Sequence, residues 1–512
     1  MLAKVYSSSI SGIDAYTIAV EVDISSGLPA INIVGLPDTS IKESRDRIKA
    51  AIKNCEFELT PQKITVNLAP ADIKKEGSLY DLPIAIGILA AQDDIIKENL
   101  NNYLFLGELS LDGNLRPVKG VLPIAISAKK DNIKKIILPN ENAREASVIP
   151  DIEIIPANSL YEVVKFLNNE VNISPYQINL EEIFTNNSHY EVDFTEIKGQ
   201  KQARRAVELA AAGGHNILMV GPPGSGKTMI ARRIPTILPK VSLEEAIEIT
   251  KIHSVVGYTS PNTPLITTRP FRSPHHTISD VGLVGGGQFP RPGEISLSHC
   301  GVLFLDELPE FSRHVLESLR QPLEDGTITV SRAASSITFP ARFMFVASMN
   351  PCPCGFLTDP VKECTCNPNS IQKYFGKISG PLLDRIDIHI EVPGIKHRDL
   401  EEDKQDIENS TSIRDRVNIT RNIQRQRFKK RKHIFCNAQM QQKDIEKYCS
   451  INKECKDTLN KALDKLGLSA RAYYKILKVS RTIADLEESS EIKEHHILEA
   501  IQYRSLDRQR WL

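Results

Sequence analysis

Gly221-Pro222-Pro223-Gly224-Ser225-Gly226-Lys227-Thr228 follows an apolar run, Ile217 to Val220, that reads as a buried strand. A glycine-rich loop of this pattern between a strand and a helix is a phosphate-binding loop. The glycines let backbone N–H groups curl around phosphates, and Lys227 reaches the β- and γ-phosphates. Thr228 offers its hydroxyl to Mg²⁺, and the helix opening there points its positive end at the anion. All eight residues, 221 to 228, are therefore expected to line a nucleoside triphosphate site in an α/β core.

A second apolar strand, Val302-Leu303-Phe304-Leu305, ends in Asp306-Glu307. This is a Walker B pattern. Asp306 is expected to hold Mg²⁺ through water and Glu307 to polarise the attacking water. Further on, Phe343 to Ser348 form another apolar strand closing on Met349-Asn350, which suits Asn350 as a sensor of the γ-phosphate or the lytic water. Ser379 to Asp387 carry Arg385, which reads either as a finger reaching a neighbouring subunit's nucleotide or as a surface arginine paired with Asp384 or Asp387. A finger acting in trans requires a ring.

Composition sets the outer bounds. With 512 residues, 41% of them hydrophobic, two or three domains are expected. Lys+Arg and Asp+Glu both total 64, so no global charge bias announces a nucleic-acid partner and any such surface is local. No apolar run is long enough to span a bilayer and the opening residues carry no signal-peptide core, which predicts a cytoplasmic protein. Nine cysteines are then expected as thiols or metal ligands rather than disulfides.

Residues 1–167 alternate strand and helix patterns. Ile18, Val20, Val22 and Ile24 alternate as a half-buried strand. Ile41, Ile48 and Ile52 share a helix face after a cap at Asp38, and Ile64, Val66 and Leu68 alternate again, which together read as α+β. Residues 168–192 lack a sustained period and read as a linker. The nucleotide-binding core occupies 193–393, and 394–512 is helical, clearest over Arg471 to Leu486.

Several longer stretches are more specific than the Walker pair. They are Gly77 to Ala85, Ala211-Ala212-Gly213-Gly214-His215-Asn216, Phe271 to Thr277, Arg291 to Leu297, and Ser379 to Asp387. On these, nearly the whole chain resembles the magnesium-chelatase-like AAA+ ATPases, and among them the competence-associated ComM/YifB group. The resemblance implies a Lon-protease/ribosomal-S5-like N-terminal domain, an AAA+ module using ATP and Mg²⁺, and a helical C-terminal lid. It implies a homo-hexameric DNA translocase or helicase that promotes branch migration in recombination and natural transformation. It places Gly221, Gly224, Gly226, Lys227 and Thr228 at the phosphates, Asp306 and Glu307 at metal and water, Asn350 as sensor 1 and Arg385 as the finger. Arg471 takes the place of the sensor 2 arginine, with Arg481 as its rival, and Gly199-Gln200 that of the adenine-side contact. Two insertions are implied to project into the pore: a helix-2 insert over about His253 to Pro292, and a hairpin over Gly326 to Phe339 with Arg332 near its tip.

The remaining features stand beside that resemblance. Seven basic residues crowd Arg421 to Lys432, either a phosphate footprint or a solvated helix face. Cys352, Cys354, Cys364 and Cys366 form two CxC pairs, a ligand set suited to tetrahedral zinc. His275-His276 read as shaping the insert rather than as metal ligands. A Lon-type protease would need a serine where Leu79 stands and a lysine near Leu122. Ser78 and Lys119 are out of register for that pair, so the N-terminal domain reads as non-proteolytic. A chelatase-type motor that remodels a protein partner is the other alternative.

Overall fold

The computed structural model describes residues 2–71, 75–187, 190–259, 263–287, 290–332, 335–357, 359, 362–394, 408–431 and 434–504. These divide into two compact units, 1–188 with 243–267, and 189–242 with 268–512.

In the first unit a seven-stranded mixed sheet runs Ala30–Val34, Lys63–Ala69, Asp14–Ser25, Leu2–Ser11, Tyr103–Phe105, Lys135–Pro139, Glu153–Ala157. The alternating residues Ile18, Val20, Val22 and Ile24 all point inward from the long antiparallel strand, as do Ile64, Val66 and Leu68 from its neighbour. Helix Thr39–Asn54 begins where Asp38 accepts a hydrogen bond from the Ile41 amide at 2.9 Å, and it buries Ile41, Ile48 and Ile52. Helix Asp81–Ala91 is buried along its whole length against the two longest strands. Helix Leu243–Val256, although distant in sequence, packs on helix Val121–Lys130 of this unit. There Ser254 and Thr259 donate to the buried Glu145 carboxylate at 2.5 and 3.2 Å, and the Leu122 amide donates at 3.2 Å. Burial pushes the Glu145 carboxyl up despite these donors. The stretch read as a linker contains the short helix Leu180–Asn187.

The second unit is built on a five-stranded parallel sheet ordered Phe271–Arg272, Val302–Leu305, Met344–Met349, Ile217–Val220, Ile388–Glu391. Numbered along the chain this order is 2-3-4-1-5. The chain therefore reverses direction across the sheet at the first strand, and the crevice beyond that strand's carboxyl end is where such sheets bind ligands. Every residue of the strands Ile217–Val220, Val302–Leu305 and Met344–Met349 is buried, which explains their apolar runs, interrupted only by Ser348. Helices Ser410–Arg427 and Ala470–Leu486 complete the core against helix Lys201–Gly213. Strands Thr327–Arg332 and Ser335–Pro340 pair as an antiparallel hairpin with Arg332 opposite Ser335.

Candidate nucleotide site

Gly221 begins the loop at the end of its strand, and helix Lys227–Ile237 opens behind Gly226, whose φ of 84° suits glycine. Gly221 is needed for space rather than for backbone angle. A Cβ there would lie 2.0 Å from the Val392 carbonyl oxygen. Lys227 donates to the carbonyls of Gly221 and Pro222 at 2.7 and 2.9 Å and lies 3.4 Å from Asn350 Oδ1. Burial lowers the Lys227 pKa, opposed by Asp306 and Glu307.

Thr228 Oγ1 donates to Asp306 Oδ2 at 2.6 Å, so the two groups expected at Mg²⁺ meet although 78 positions separate them. Ser348, fully buried on the adjacent strand, donates to the other carboxylate oxygen of Asp306. The next residue, Glu307, has φ 53°, a left-handed backbone uncommon for a glutamate. Its carboxylate is 57% exposed and 3.9 Å from His276 Nδ1. His276 in turn packs edge-on against Phe311. Burial pushes the Tyr374 hydroxyl pKa up to about 12, opposed by the nearby Asn350 backbone.

Gln200, itself at φ 52°, donates to the Ser225 carbonyl at 2.6 Å, while its Oε1 is buried without a hydrogen-bond partner. The adenine-side candidate thus touches the phosphate loop directly.

The arginines have distinct surroundings. Arg385 is not paired with Asp384 or Asp387: it donates to the Pro381 carbonyl at 2.6 Å and forms an ion pair with Glu324. Arg471 is 67% exposed and pairs with Asp384 at 3.1 Å. Arg481 is buried and held by Asp485 at 2.9 Å and by the carbonyls of Ser489 and Ser490. It closes the end of its own helix. Among the described residues neither Arg385 nor Arg471 hydrogen-bonds to residues 221–228.

Sequence reasoning marked Ala211 to Asn216 as diagnostic without giving it a task. Asn216 accepts from the Phe345 amide at 2.9 Å and donates to the Arg385 carbonyl at 3.0 Å, which ties the sensor strand to the Arg385 turn. His215 bridges Asp387 at 3.1 Å and Thr482 at 2.8 Å. Burial lowers the His215 pKa against the pull of Asp387. Burial alone would raise the Asp387 carboxyl, but Lys475 and His215 outweigh it and hold it well below the usual range. The partners of Asn216 and His215 come from distant segments, so no local pattern announces them.

Of the basic cluster, Arg421 donates to the Ala211 carbonyl at 3.0 Å, Arg427 pairs with buried Asp485, and Arg431 pairs with Asp444 at 2.9 Å. Arg425, Lys429 and Lys430 are exposed; Lys432 lies outside the described residues. In the N-terminal unit Ser78 donates to the Glu108 carboxylate, and among the described residues it shares no hydrogen bond with Lys119.

The chain is 46% identical over 508 residues to the competence protein ComM of Haemophilus influenzae, covering 99% of this chain and 98% of that one. The chain belongs to the ComM/YifB family of magnesium-chelatase-like AAA+ proteins. The description "Magnesium chelatase, subunit ChlI" matches residues 193–400, "Subunit ChlI of Mg-chelatase" 20–142, and "Magnesium chelatase, subunit ChlI C-terminal" 407–504. The uncharacterized protein YifB of Escherichia coli is 43% identical over 507 residues, 99% of this chain and 98% of its own length. The magnesium-chelatase 38 kDa subunit of Rhodobacter capsulatus is 26% identical over 231 residues, 40% of this chain and 60% of that subunit. Family membership thus rests on the whole length, and kinship to the chelatase subunit on a part. No described helix is long and apolar enough to cross a membrane.

Proposed function

We propose that this protein is a ring-forming ATPase that drives DNA branch migration. The observation that carries the ATPase part is the convergence of Lys227, Thr228, Asp306, Ser348 and Asn350 at the carboxyl ends of adjacent parallel strands. A bound magnesium ion would supply positive charge against the phosphates. Thr228 and Asp306 would hold it, with the Asp306 carboxylate oriented by Ser348. Lys227 leaves the loop carbonyls for the β- and γ-phosphates. Glu307 orients the lytic water, and Asn350 reads the γ-phosphate. Gln200 Oε1 offers an unpartnered acceptor to the adenine amino group.

Arg385 serves a neighbouring copy's nucleotide, and Arg471 is the lid's sensor 2. Residues 1–167 act as a non-proteolytic domain, supported by the bond from Ser78 to an acid rather than to a basic lysine. Residues 394–512 act as the lid. DNA is the partner because a full-length relative bears the name competence protein. The exposed Arg425, Lys429 and Lys430 supply local basic surface.

ATP turnover by the purified full chain, with and without a four-way DNA junction at two salt concentrations, tests this reading. Stimulation that fades with salt is expected. Lys227→Ala should lose nucleotide binding, and Glu307→Gln should bind ATP with turnover reduced by about 10²-fold or more. Turnover indifferent to every DNA tested, but raised by a protein partner, would favour the chelatase-type motor.

A further inference from the structure

The described residues hold one cluster of four sulfurs, and the site above does not use it. Cys352, Cys354, Cys364 and Cys366 place their Sγ atoms within 4.8 Å of one another, and none is in a disulfide. The Cys352–Cys354 separation is 3.3 Å, and Cys364 lies 3.6 Å from each of those two sulfurs. These distances are too long for a sulfur–sulfur bond. They are close to the edge of a tetrahedron of thiolates around a single ion, about 3.8 Å for a Zn–S bond of about 2.3 Å. A multi-iron cluster spreads its cysteines over several metal atoms and would need a wider set. The Cys354 amide also donates to Cys366 Sγ at 3.3 Å, the kind of outer bond that orients metal thiolates.

The cluster's position gives it a consequence. Cys352 follows Asn350 by two residues and is fully buried, and Asn367, directly after Cys366, caps helix Pro368–Phe375. Inside the loop, Gly355 sits so close to the phosphate loop that a Cβ would lie 2.6 Å from Pro223 Cδ. Gly355 faces Asn350 as well, where a Cβ would lie 3.9 Å from Asn350 Cγ. The loop between the two cysteine pairs contains no helix or strand of its own among the described residues, and the sulfurs join its two ends.

We propose that Cys352, Cys354, Cys364 and Cys366 bind one zinc ion, and that the metal-held loop braces Pro223 and Asn350, making ATP turnover depend on the metal. The second half rests on the ATPase reading; the first does not.

Metal content of the purified full chain, measured for zinc and iron together, tests the first half. About one zinc per chain is expected, lost in Cys364→Ser/Cys366→Ser. Replacement by cobalt should give thiolate charge-transfer and tetrahedral absorption bands. Iron in place of zinc, or chains purified with zinc present that hold none and show four reactive thiols or a disulfide mass, overturns the assignment. For the second half, removing zinc with a thiol reagent and chelator should lower ATP turnover at least tenfold, and reducing agent with zinc should restore it.

Because the cysteine variant can misfold, Gly355→Ala provides an independent arm. It keeps all four ligands and should retain zinc while turnover falls at least fivefold. Zinc removal that leaves turnover unchanged overturns the brace. A chain that holds one zinc yet hydrolyses no ATP in any state would overturn the ATPase reading and the brace with it, and leave the metal site standing.

Discussion

Gly221→Ala adds one carbon to the phosphate loop, and its effect follows from the surrounding backbone. The new Cβ would sit 2.0 Å from the Val392 oxygen and 3.0 Å from its carbonyl carbon. Carbon and oxygen settle no closer than about 3.3 Å, so roughly 1.3 Å must open between two main-chain segments. The Val392 amide donates to the Val220 carbonyl at 2.7 Å, and a shift of that size breaks the bond. Losing it costs about 1 kcal/mol, and the overpacking about 1–3 kcal/mol more. The functional loss should be larger in proportion. Gly221 and Pro222 carry the carbonyls on which Lys227 rests, and misplacing a reacting group by about 1 Å costs on the order of 10²-fold in rate. Gly224→Ala is the comparison, since its Cβ meets nothing within 4 Å and φ is +77°. It should cost about 1 kcal/mol of backbone strain. Steady-state ATP turnover, fluorescent-nucleotide affinity and the urea midpoint, measured on both variants, separate these effects. A Gly221→Ala protein turning over within threefold of the parent, with an unchanged midpoint, would refute the reasoning.

Arg385→Ala alone should reduce turnover by about 10³-fold or more while nucleotide binding survives. Mixing it with Lys227→Ala chains should restore part of the activity, because one copy supplies the finger and the other the nucleotide; no recovery at any ratio would rule out action in trans. Arg481→Ala should lower unfolding free energy by about 1–3 kcal/mol, since the carbonyls of Ser489 and Ser490 lose their donor while Arg427 still holds Asp485, whereas exposed Arg471→Ala should cost under about 1 kcal/mol yet depress turnover more; chemical denaturation paired with ATPase assays would expose the reverse pattern. His215 has a folded pKa below its ordinary value of about 6.5, so the folded chain binds fewer protons there than the unfolded one and loses stability as pH falls through and below 6.5, by up to about 1.4 kcal/mol per unit. His215→Gln should flatten that slope of urea midpoint against pH, and an unaltered slope would contradict the assignment.

The strands that carry the candidate phosphate loop, Walker B acids and sensor were legible because each is a local apolar run. Their convergence was legible only through the motif order, since Asp306 reaches Thr228 across a sheet whose strand order no single stretch encodes. Ser348 was hidden because a small serine inside an apolar strand reads as core until its partner is known. Arg471 and Arg481 could not be separated by helical position. Solvent around one and the carbonyls of Ser489 and Ser490 around the other distinguish them. Helix Leu243–Val256 falls inside the 193–393 stretch yet packs with residues 1–188. Its buried face mixes Thr250, His253 and Ser254 with Ala246, Ile249 and Ile252, so it shows no clean apolar stripe to suggest a separate allegiance.

That helix also sets an order of events during synthesis. The N-terminal unit draws residues 243–267 from beyond the phosphate loop, so a ribosome must translate through the loop before that unit has all its parts. Until then Glu145 lacks the hydroxyls of Ser254 and Thr259. A nascent chain paused near residue 190 would hold an incomplete first unit, and a fragment cut there for expression would carry the same defect permanently.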